Sequence, residues 1–296
     1  MKYTITGSLG HISKPLTIQL LQAGHQVTVI SSNSDRKTDI EELGATAAIG
    51  SVEDTDFLTN AFAGADAVYT MVPPTTSAPN WREYIRGIGH NFASAIKAAG
   101  VKYVVNLSSA GAHLPEGCGP VSGIHYVELA LNDLDGVAVK HLRPGFFYYN
   151  FLNNAGMAKH LGFIGGNYGS DTTMVLTDPE DIAKVAAEEL LNLAFNGKSI
   201  RYIVSDERSN REVAAVLGRA IGKPDLPWVD FTDQDTFGAM VQNGLPEDVA
   251  QNYTEMGASI RTGTMFEEYI QHKPTEFGKT KLEDFAPAFA QAYEKA

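Results

Sequence analysis

The sequence predicts an α/β fold in which a doubly wound parallel sheet is followed by a smaller, mainly helical C-terminal cap. Over the first 205 residues, helix-like segments repeatedly end in glycine, and a short apolar run begins within a few residues. These runs are almost continuously apolar, which is typical of strands that helices cover on both faces. After residue 205 this alternation stops, and helical segments follow one another.

Seven strands are predicted in the first part of the chain. A glycine just past a helix adopts a positive φ without a steric penalty, so each of these glycines ends its helix before the next strand begins. Right-handed crossovers through the intervening helices then produce a parallel sheet. The predicted strands are 2–6, 26–30, 45–49, 67–72, 101–106, 137–139 and 200–204.

The remaining third of the chain predicts a small cap. Segments 209–220, 232–243 and 247–260 have helical patterns, and the charged tail 279–296 ends in another helix. No second sheet is predicted there. We therefore expect a nucleotide-binding domain over 1–205 and a substrate or cap domain over 206–296. The segment 151–170 could contribute to the cap.

Composition and charge exclude several classes of function. The 296 residues are 44% hydrophobic, and 35 acidic against 23 basic side chains give a net charge of −12. Such a chain, without a Lys/Arg run, is not expected to bind nucleic acid or an anionic membrane. Cys118 is the single cysteine, which excludes an internal disulfide and a cysteine-based zinc site. With no signal peptide or membrane-spanning stretch, we expect a cytoplasmic protein that handles a small molecule.

A glycine-rich loop follows the first strand. Gly7 and Gly10 allow a tight turn whose amides approach a pyrophosphate, and the next helix points its N-terminus at the anion. Pro15 suits the first turn of that helix, and Ser13 stands where a Rossmann fingerprint has its third glycine. An ordinary strand–turn–helix is the alternative. Because the loop opens the first of seven α/β units, we favour a Rossmann-type dinucleotide site.

The end of the second strand bears on the choice between NADP(H) and NAD(H). An acid at this position binds the ribose hydroxyls of NAD, whereas a basic residue accommodates the extra phosphate of NADP. Here the strand ends without an acid, and Ser32 and Arg36 can contact a phosphate. These residues could instead begin a solvated helix. NADP(H) is favoured over NAD(H).

Ligands of an open α/β sheet lie outside the carboxyl ends of its strands. The fourth strand ends at Val72-Pro73, the fifth at 106–113 and the sixth at 142–151. The last segment is rich in aromatic residues, which suit a flat apolar substrate but could equally fill a seam between two domains. The candidate substrate residues are His113, Phe146, Tyr148 and Tyr149.

These strand ends resemble the NmrA-like group of atypical short-chain dehydrogenases. The resemblance is carried by Gly7-Ser8-Leu9-Gly10, by 106–111, by Glu128, by 142–147 together with Asn150, and by 177–183. It implies an NAD(P)-binding protein similar to NAD(P)H-dependent quinone oxidoreductases and triphenylmethane-dye reductases, or to regulators that bind the dinucleotide without turnover. Two positions depart from many members: Ser32 replaces an arginine, and Ile124 replaces a lysine.

The usual proton relay of short-chain dehydrogenases, Tyr-x-x-x-Lys, is missing. Tyr126 is followed four residues later by Ala130. An acceptor such as a quinone is electrophilic enough to take hydride without that acid, so the sequence predicts an NAD(P)H-dependent reductase of a small flat electrophile. A dinucleotide-sensing regulatory protein of the NmrA type is the alternative. The candidate catalytic residues are His113, His125 and Tyr148.

The complete predicted cofactor site combines the glycine loop with the strand ends. Its residues are Gly7, Ser8, Leu9, Gly10, His11, Ile12, Ser32, Arg36, Gly50, Ser51, Val72, Pro73, Asn106 and Ser108. The eight histidines show no metal-ligand spacing, so no metal site is predicted. A regulatory function would add a protein partner, and either function is compatible with a homodimer.

Overall fold

The computed structural model describes all residues, 1–296. The strands are β1 (Lys2–Ile5), β2 (Gln26–Ser31), β3 (Thr46–Ile49), β4 (Ala67–Thr70), β5 (Tyr103–Leu107), β6 (Ala138–Pro144), β7 (Phe146–Phe147), β8 (Ile164–Gly166), β9 (Thr173–Thr177), β10 (Lys198–Ile203), β11 (Asp206–Ser209) and β12 (Trp228–Asp230). The helices are α1 (Ser13–Gln22), α2 (Arg36–Glu42), α3 (Thr55–Phe62), α4 (Trp81–Ala99), α5 (Pro120–Asn132), α6 (Ala155–His160), α7 (Pro179–Asn192), α8 (Asn210–Ala220), α9 (Asp233–Gln242), α10 (Glu247–Thr262), α11 (Glu267–Gln271) and α12 (Leu282–Lys295). Short 3₁₀ helices cover Tyr148–Asn154 and Thr264–Phe266.

The central sheet has seven parallel strands in the order β10-β6-β5-β4-β1-β2-β3. The chain first winds from β1 to β3 in one direction and then from β4 to β10 in the other. The switch point therefore lies between β1 and β4, where the first glycine loop leaves the sheet. This topology confirms the predicted Rossmann-type, doubly wound parallel sheet.

Glycines end the elements that precede the strands, as the sequence predicts. The six glycines before the second to seventh strands of this sheet all have positive φ, between 62° and 90°. A side chain at such a φ clashes with the backbone, so these positions separate helix from strand at little energetic cost. They are Gly24, Gly44, Gly64, Gly100, Gly136 and Gly197.

Helices cover both faces of the sheet. On one face α1 and α7 bury Leu16, Leu20 and Ile182 against the strands. On the other face α3, α4 and α5 bury Phe62 and Phe92 in a second core. With both faces covered, the strands are apolar along most of their length, which explains the nearly continuous apolar runs.

The cap packs around a core formed mainly by residues 146–177 and 210–289, to which residues 110–121, Tyr202 and Val204 also contribute. Helices α8, α9, α10 and α12 form where the sequence predicts them, and the mainly helical cap is confirmed. The expectation that it lacks a sheet is wrong. Strands β11, β9 and β7 form one small sheet and β12 and β8 another. These strands have only two to five residues, which is too short for a periodic pattern to reveal them.

The longest helix, α4, carries several charged residues, and none of the helices qualifies as a membrane span.

Candidate active site

The loop between β1 and α1 turns sharply beneath the helix N-terminus. Gly7 has a φ of +92° and Ser8 a φ of +55°. A methyl group on Gly7 would lie 2.5 Å from Ser13 Oγ and 2.9 Å from Met71 Sδ. The Ser13 hydroxyl donates to the carbonyl of Thr6 at 2.9 Å. Serine is thus small enough to occupy the third fingerprint position and joins the helix to the strand end.

The amides of this loop form a cradle for an anion. The Ser8 amide donates to Ile30 and the Gly10 amide to Gly7. The other amides from Gly7 to Ser13 have no hydrogen-bond partner in the protein, and no side chain caps the helix. Free amides at a helix N-terminus bind phosphate groups, so these residues fit the pyrophosphate of a dinucleotide. The unpaired amides belong to Gly7, Leu9, His11, Ile12 and Ser13.

The end of β2 carries the residues predicted to select the cofactor. Ser32 is exposed, next to Ser31, whose hydroxyl accepts a hydrogen bond from Ser8. Arg36 begins α2, and its guanidinium lies 3.1 Å from the Asp39 carboxylate, with both side chains about half exposed. An exposed ion pair of this kind contributes about 0–1 kcal/mol, so Arg36 can leave Asp39 for a stronger anion at little cost.

The ends of β3 and β4 complete the edge predicted to hold the dinucleotide. The amide of Gly50 donates to Ser31 at 2.9 Å, and the Phe57 ring packs so closely on Gly50 that a methyl group there would overlap it. The Ser51 hydroxyl accepts from the Glu53 amide. In the loop that follows β4, Val72 and Pro73 are half-buried.

Two predicted cofactor residues have their polar groups engaged inside the protein. Asn106 is fully buried, accepts from Thr70 at 2.9 Å and lies 3.1 Å from the ring of His141. Ser108 is also buried, and its hydroxyl donates to the Glu128 carboxylate. These contacts stabilise the ends of β4, β5 and β6, which lie next to the cradle.

A buried ionic cluster links the sheet to the cap. Arg143 donates to both carboxylate oxygens of Glu128, at 2.9 and 2.6 Å, and a further guanidinium nitrogen contacts Glu268 of α11 and Tyr202 of β10. Burial alone would raise the pKa of the Glu128 carboxyl, but the hydrogen bond from Arg143 and the nearby positive charges hold that pKa below its ordinary value. Glu128 is therefore an ionised structural partner of Arg143.

The two candidate histidines have different surroundings. The Nδ1 atom of His125 donates to the carbonyl of Ala112 at 2.8 Å. His113 lies in the turn after β5, with Nδ1 3.5 Å from a carboxylate oxygen of Glu268. Neither ring nitrogen of His113 has a hydrogen-bond partner, although both are shielded from solvent. Burial lowers the pKa of His113, and the Glu268 carboxylate opposes that effect.

The aromatic residues after β6 face in different directions. Phe146 packs on Phe151 in the core of the cap. Tyr148 is completely buried there and donates to the carbonyl of Thr280 at 3.1 Å. Tyr149 is half-buried and stacks on His11 of the glycine loop, with ring centroids 5.2 Å apart. Among the predicted aromatic substrate residues, only Tyr149 lies next to the amide cradle.

Sequence reasoning missed two members of this site. Glu268 comes from α11, 125 residues after Arg143, and Tyr202 comes from a strand interior. Neither belongs to a motif with fixed spacing. The one available signal for the cluster was an arginine, Arg143, at the end of a strand that is expected to be buried. A buried guanidinium requires carboxylate partners.

Comparison with known proteins gives a family match in the first half of the chain. Residues 7–133 match the family described as NAD(P)H-binding. The matched region contains the amide cradle and strands β2 to β5, together with α5.

Several relatives cover nearly the whole chain. A (4-alkanoyl-5-oxo-2,5-dihydrofuran-3-yl)methyl phosphate reductase from Streptomyces griseus is 27% identical over 88% of this chain and 87% of its own. The NADPH complex of an NADPH-dependent quinone oxidoreductase from Escherichia coli superposes with a TM-score of 0.83, at 23% identity over 97% and 99% of the two chains. A Citrobacter sp. triphenylmethane reductase complexed with NADP(H) gives 0.79, at 21% identity over 97% and 99%. The predicted resemblance to the NAD(P)-binding, NmrA-like atypical short-chain dehydrogenases is confirmed, and the superposed structures share the predicted fold.

Proposed function

We propose that this protein is an NAD(P)H-dependent reductase that passes hydride to a small flat electrophile such as a quinone. The observation that carries the proposal is the set of five unpaired amides at the switch point of the sheet. Tyr149 lies beside that cradle and offers a half-buried aromatic face to a flat acceptor. The relatives that reduce a quinone, a dye and an oxo-dihydrofuran support the same class of acceptor.

The chain's contribution to the reaction is mainly positional. NAD(P)H, when bound, supplies the hydride. Ile124 stands where many related proteins have a lysine, and Ala130 stands where the Tyr-x-x-x-Lys relay has its lysine. Both side chains are at least partly buried among apolar side chains. The protein must therefore hold a strongly electrophilic acceptor about 3–3.5 Å from the hydride donor and exclude water from between them.

We propose that NADP(H) is preferred over NAD(H). Ser32 is exposed at the end of β2, and the exposed Arg36–Asp39 pair can open toward a ribose phosphate. One charge-assisted contact with that phosphate contributes about 1.4 kcal/mol, which is tenfold in affinity. NADH lacks the phosphate and gains nothing from Arg36.

The experiment measures binding and turnover separately. Calorimetry with NADPH and NADH gives the dissociation constants, and steady-state oxidation of each with a panel of quinones gives kcat and KM. In Arg36→Ala we expect NADPH to bind about tenfold more weakly and NADH to bind as before. Arg211→Ala is the matched control because Arg211 forms a similarly exposed ion pair with Asp171 in the cap.

Two outcomes would contradict the proposal. If neither dinucleotide binds at millimolar concentration, the cradle is not a cofactor site. If both bind and no acceptor is reduced, the protein is the dinucleotide-sensing regulator that the sequence also allows.

A further inference from the structure

His113 carries two buried ring nitrogens that bond to nothing in the protein. Nearly all buried polar atoms of folded proteins have a hydrogen-bond partner, so an exception needs a physical reason. Both nitrogens of His113 are shielded from solvent, yet the side chain as a whole is 21% exposed. Part of the side chain therefore reaches the surface although neither nitrogen does, and a molecule bound against the ring can supply the missing partner.

Glu268 is held in place next to this ring. Its Oε2 atom lies 3.5 Å from His113 Nδ1 and also accepts from Arg143. Arg143 is already paired in bidentate fashion with Glu128 on its other side. One guanidinium therefore faces two carboxylates, and the excess negative charge favours a proton on the adjacent imidazole.

The charged groups that act on His113 come from three elements. They are Glu128 of α5, Arg143 of β6, and Glu267 and Glu268 of α11. Glu267 is exposed, whereas Glu268 is the carboxylate nearest the ring. His113 itself follows the carboxyl end of β5, the edge at which ligands of such sheets bind.

We propose that Glu268 is a positioning residue that turns His113 into the proton donor for the acceptor oxygen. The inference rests on the proposed quinone reductase function. The Glu268 carboxylate lies 3.5 Å from Nδ1, so a small approach lets it accept from Nδ1–H of the doubly protonated ring and leaves Nε2–H for the acceptor, as a carboxylate orients histidine in many acid–base sites. The cap thus supplies, through α11, the acid–base support that the absent Tyr-x-x-x-Lys would have provided.

Reduction of a quinone to the hydroquinone consumes a proton that such a donor can supply. A quinone gains two electrons and one hydrogen as hydride, and it needs one further proton to become the hydroquinone. In the proposed step the Nε2–H bond of His113 breaks and an O–H bond forms on the acceptor. The neutral imidazole then takes a proton from solvent before the next turnover.

A cationic triarylmethane dye provides a matched acceptor that needs no proton. Hydride adds to its central carbon and neutralises the cation, so no O–H bond forms. A residue that donates a proton should matter for the quinone and not for the dye. A residue that only maintains the fold should affect both acceptors equally.

The test compares three variants with both acceptors. In His113→Asn we expect quinone turnover to fall about 100-fold, within the range for losing a general acid, and dye turnover to change less than twofold. In Glu268→Gln we expect about a tenfold loss with quinone only. Glu276→Gln, which removes an exposed carboxylate in the loop after α11, should leave both activities within twofold.

The pH profile gives an independent kinetic measurement with the quinone alone. Quinone turnover by the wild type should rise as the pH falls through the pKa of His113. The rise should be absent in His113→Asn and should lie at lower pH in Glu268→Gln, because that substitution removes a negative charge that favours the protonated ring.

Nitrogen NMR of histidine-labelled protein supplies a readout without cofactor or substrate. We expect the titration midpoint of His113 to fall in Glu268→Gln by at least about half a pH unit and to stay in place in Glu276→Gln. The inference would be overturned, and the proposed function would stand, in any of three cases. These are equal losses with both acceptors, undiminished quinone turnover in His113→Asn, or an unchanged His113 midpoint in Glu268→Gln. If the wild type reduces neither acceptor, the proposed function fails and the inference fails with it.

Discussion

Replacing Gly7 by alanine tests the geometry of the amide cradle. A non-glycine residue at the φ of +92° is disfavoured by about 1–2 kcal/mol. The added methyl would lie 2.5 Å from Ser13 Oγ, so that hydroxyl must rotate and lose its bond to the carbonyl of Thr6, which costs about 1 kcal/mol more. Met71 can move its flexible end aside. We therefore expect a total destabilisation of about 2–3 kcal/mol.

Gly44→Ala separates the backbone effect from the packing effect. Gly44 has a φ of +90°, and no atom lies within 4 Å of the position that an added methyl group would occupy. Only the conformational cost of about 1–2 kcal/mol therefore applies. Urea denaturation would give both free energies of unfolding, and calorimetry would give NADPH affinity. We expect NADPH to bind at least about tenfold more weakly to Gly7→Ala and normally to Gly44→Ala. Equal stabilities together with equal affinities would refute this account of the loop.

Three further substitutions test other parts of the structure. Glu128→Gln leaves Arg143 with an incomplete partner, so urea denaturation should show a loss of about 3 kcal/mol at neutral pH. Because the pKa of Glu128 is lowered in the folded protein, its contribution should be present above the unfolded carboxyl pKa and decline as the pH falls through the folded value, which a pH series of unfolding measurements would show. Tyr148→Phe removes only the hydroxyl that donates to Thr280 and should cost about 1 kcal/mol of stability with an unchanged quinone KM. Tyr149→Ala should instead raise the KM for quinone severalfold at nearly unchanged stability, because this ring is half-buried beside the cradle.

The sequence alone determined the architecture, because its signals are local. Glycines that require a positive φ end their helices wherever the chain folds, and strands covered on both faces must be apolar throughout. The cap helices α8 and α9 begin and end within one residue of the predicted bounds, and α10 extends two residues beyond its predicted end. The amide cradle was predictable for the same reason, since two glycines and a helix start lie within seven residues of one another.

Only the tertiary structure decided which strand-end side chains meet. The carboxylate of Glu268 reaches Arg143 and His113 because the cap folds back over the sheet, and no spacing in the sequence encodes that contact. Likewise, the short pairing of β7 with β9 turns Phe146 into the cap core, while Tyr149, after the strand has ended, stacks on the glycine loop. Local patterns specify where backbone elements form, whereas the direction of a side chain at an element's end depends on distant packing.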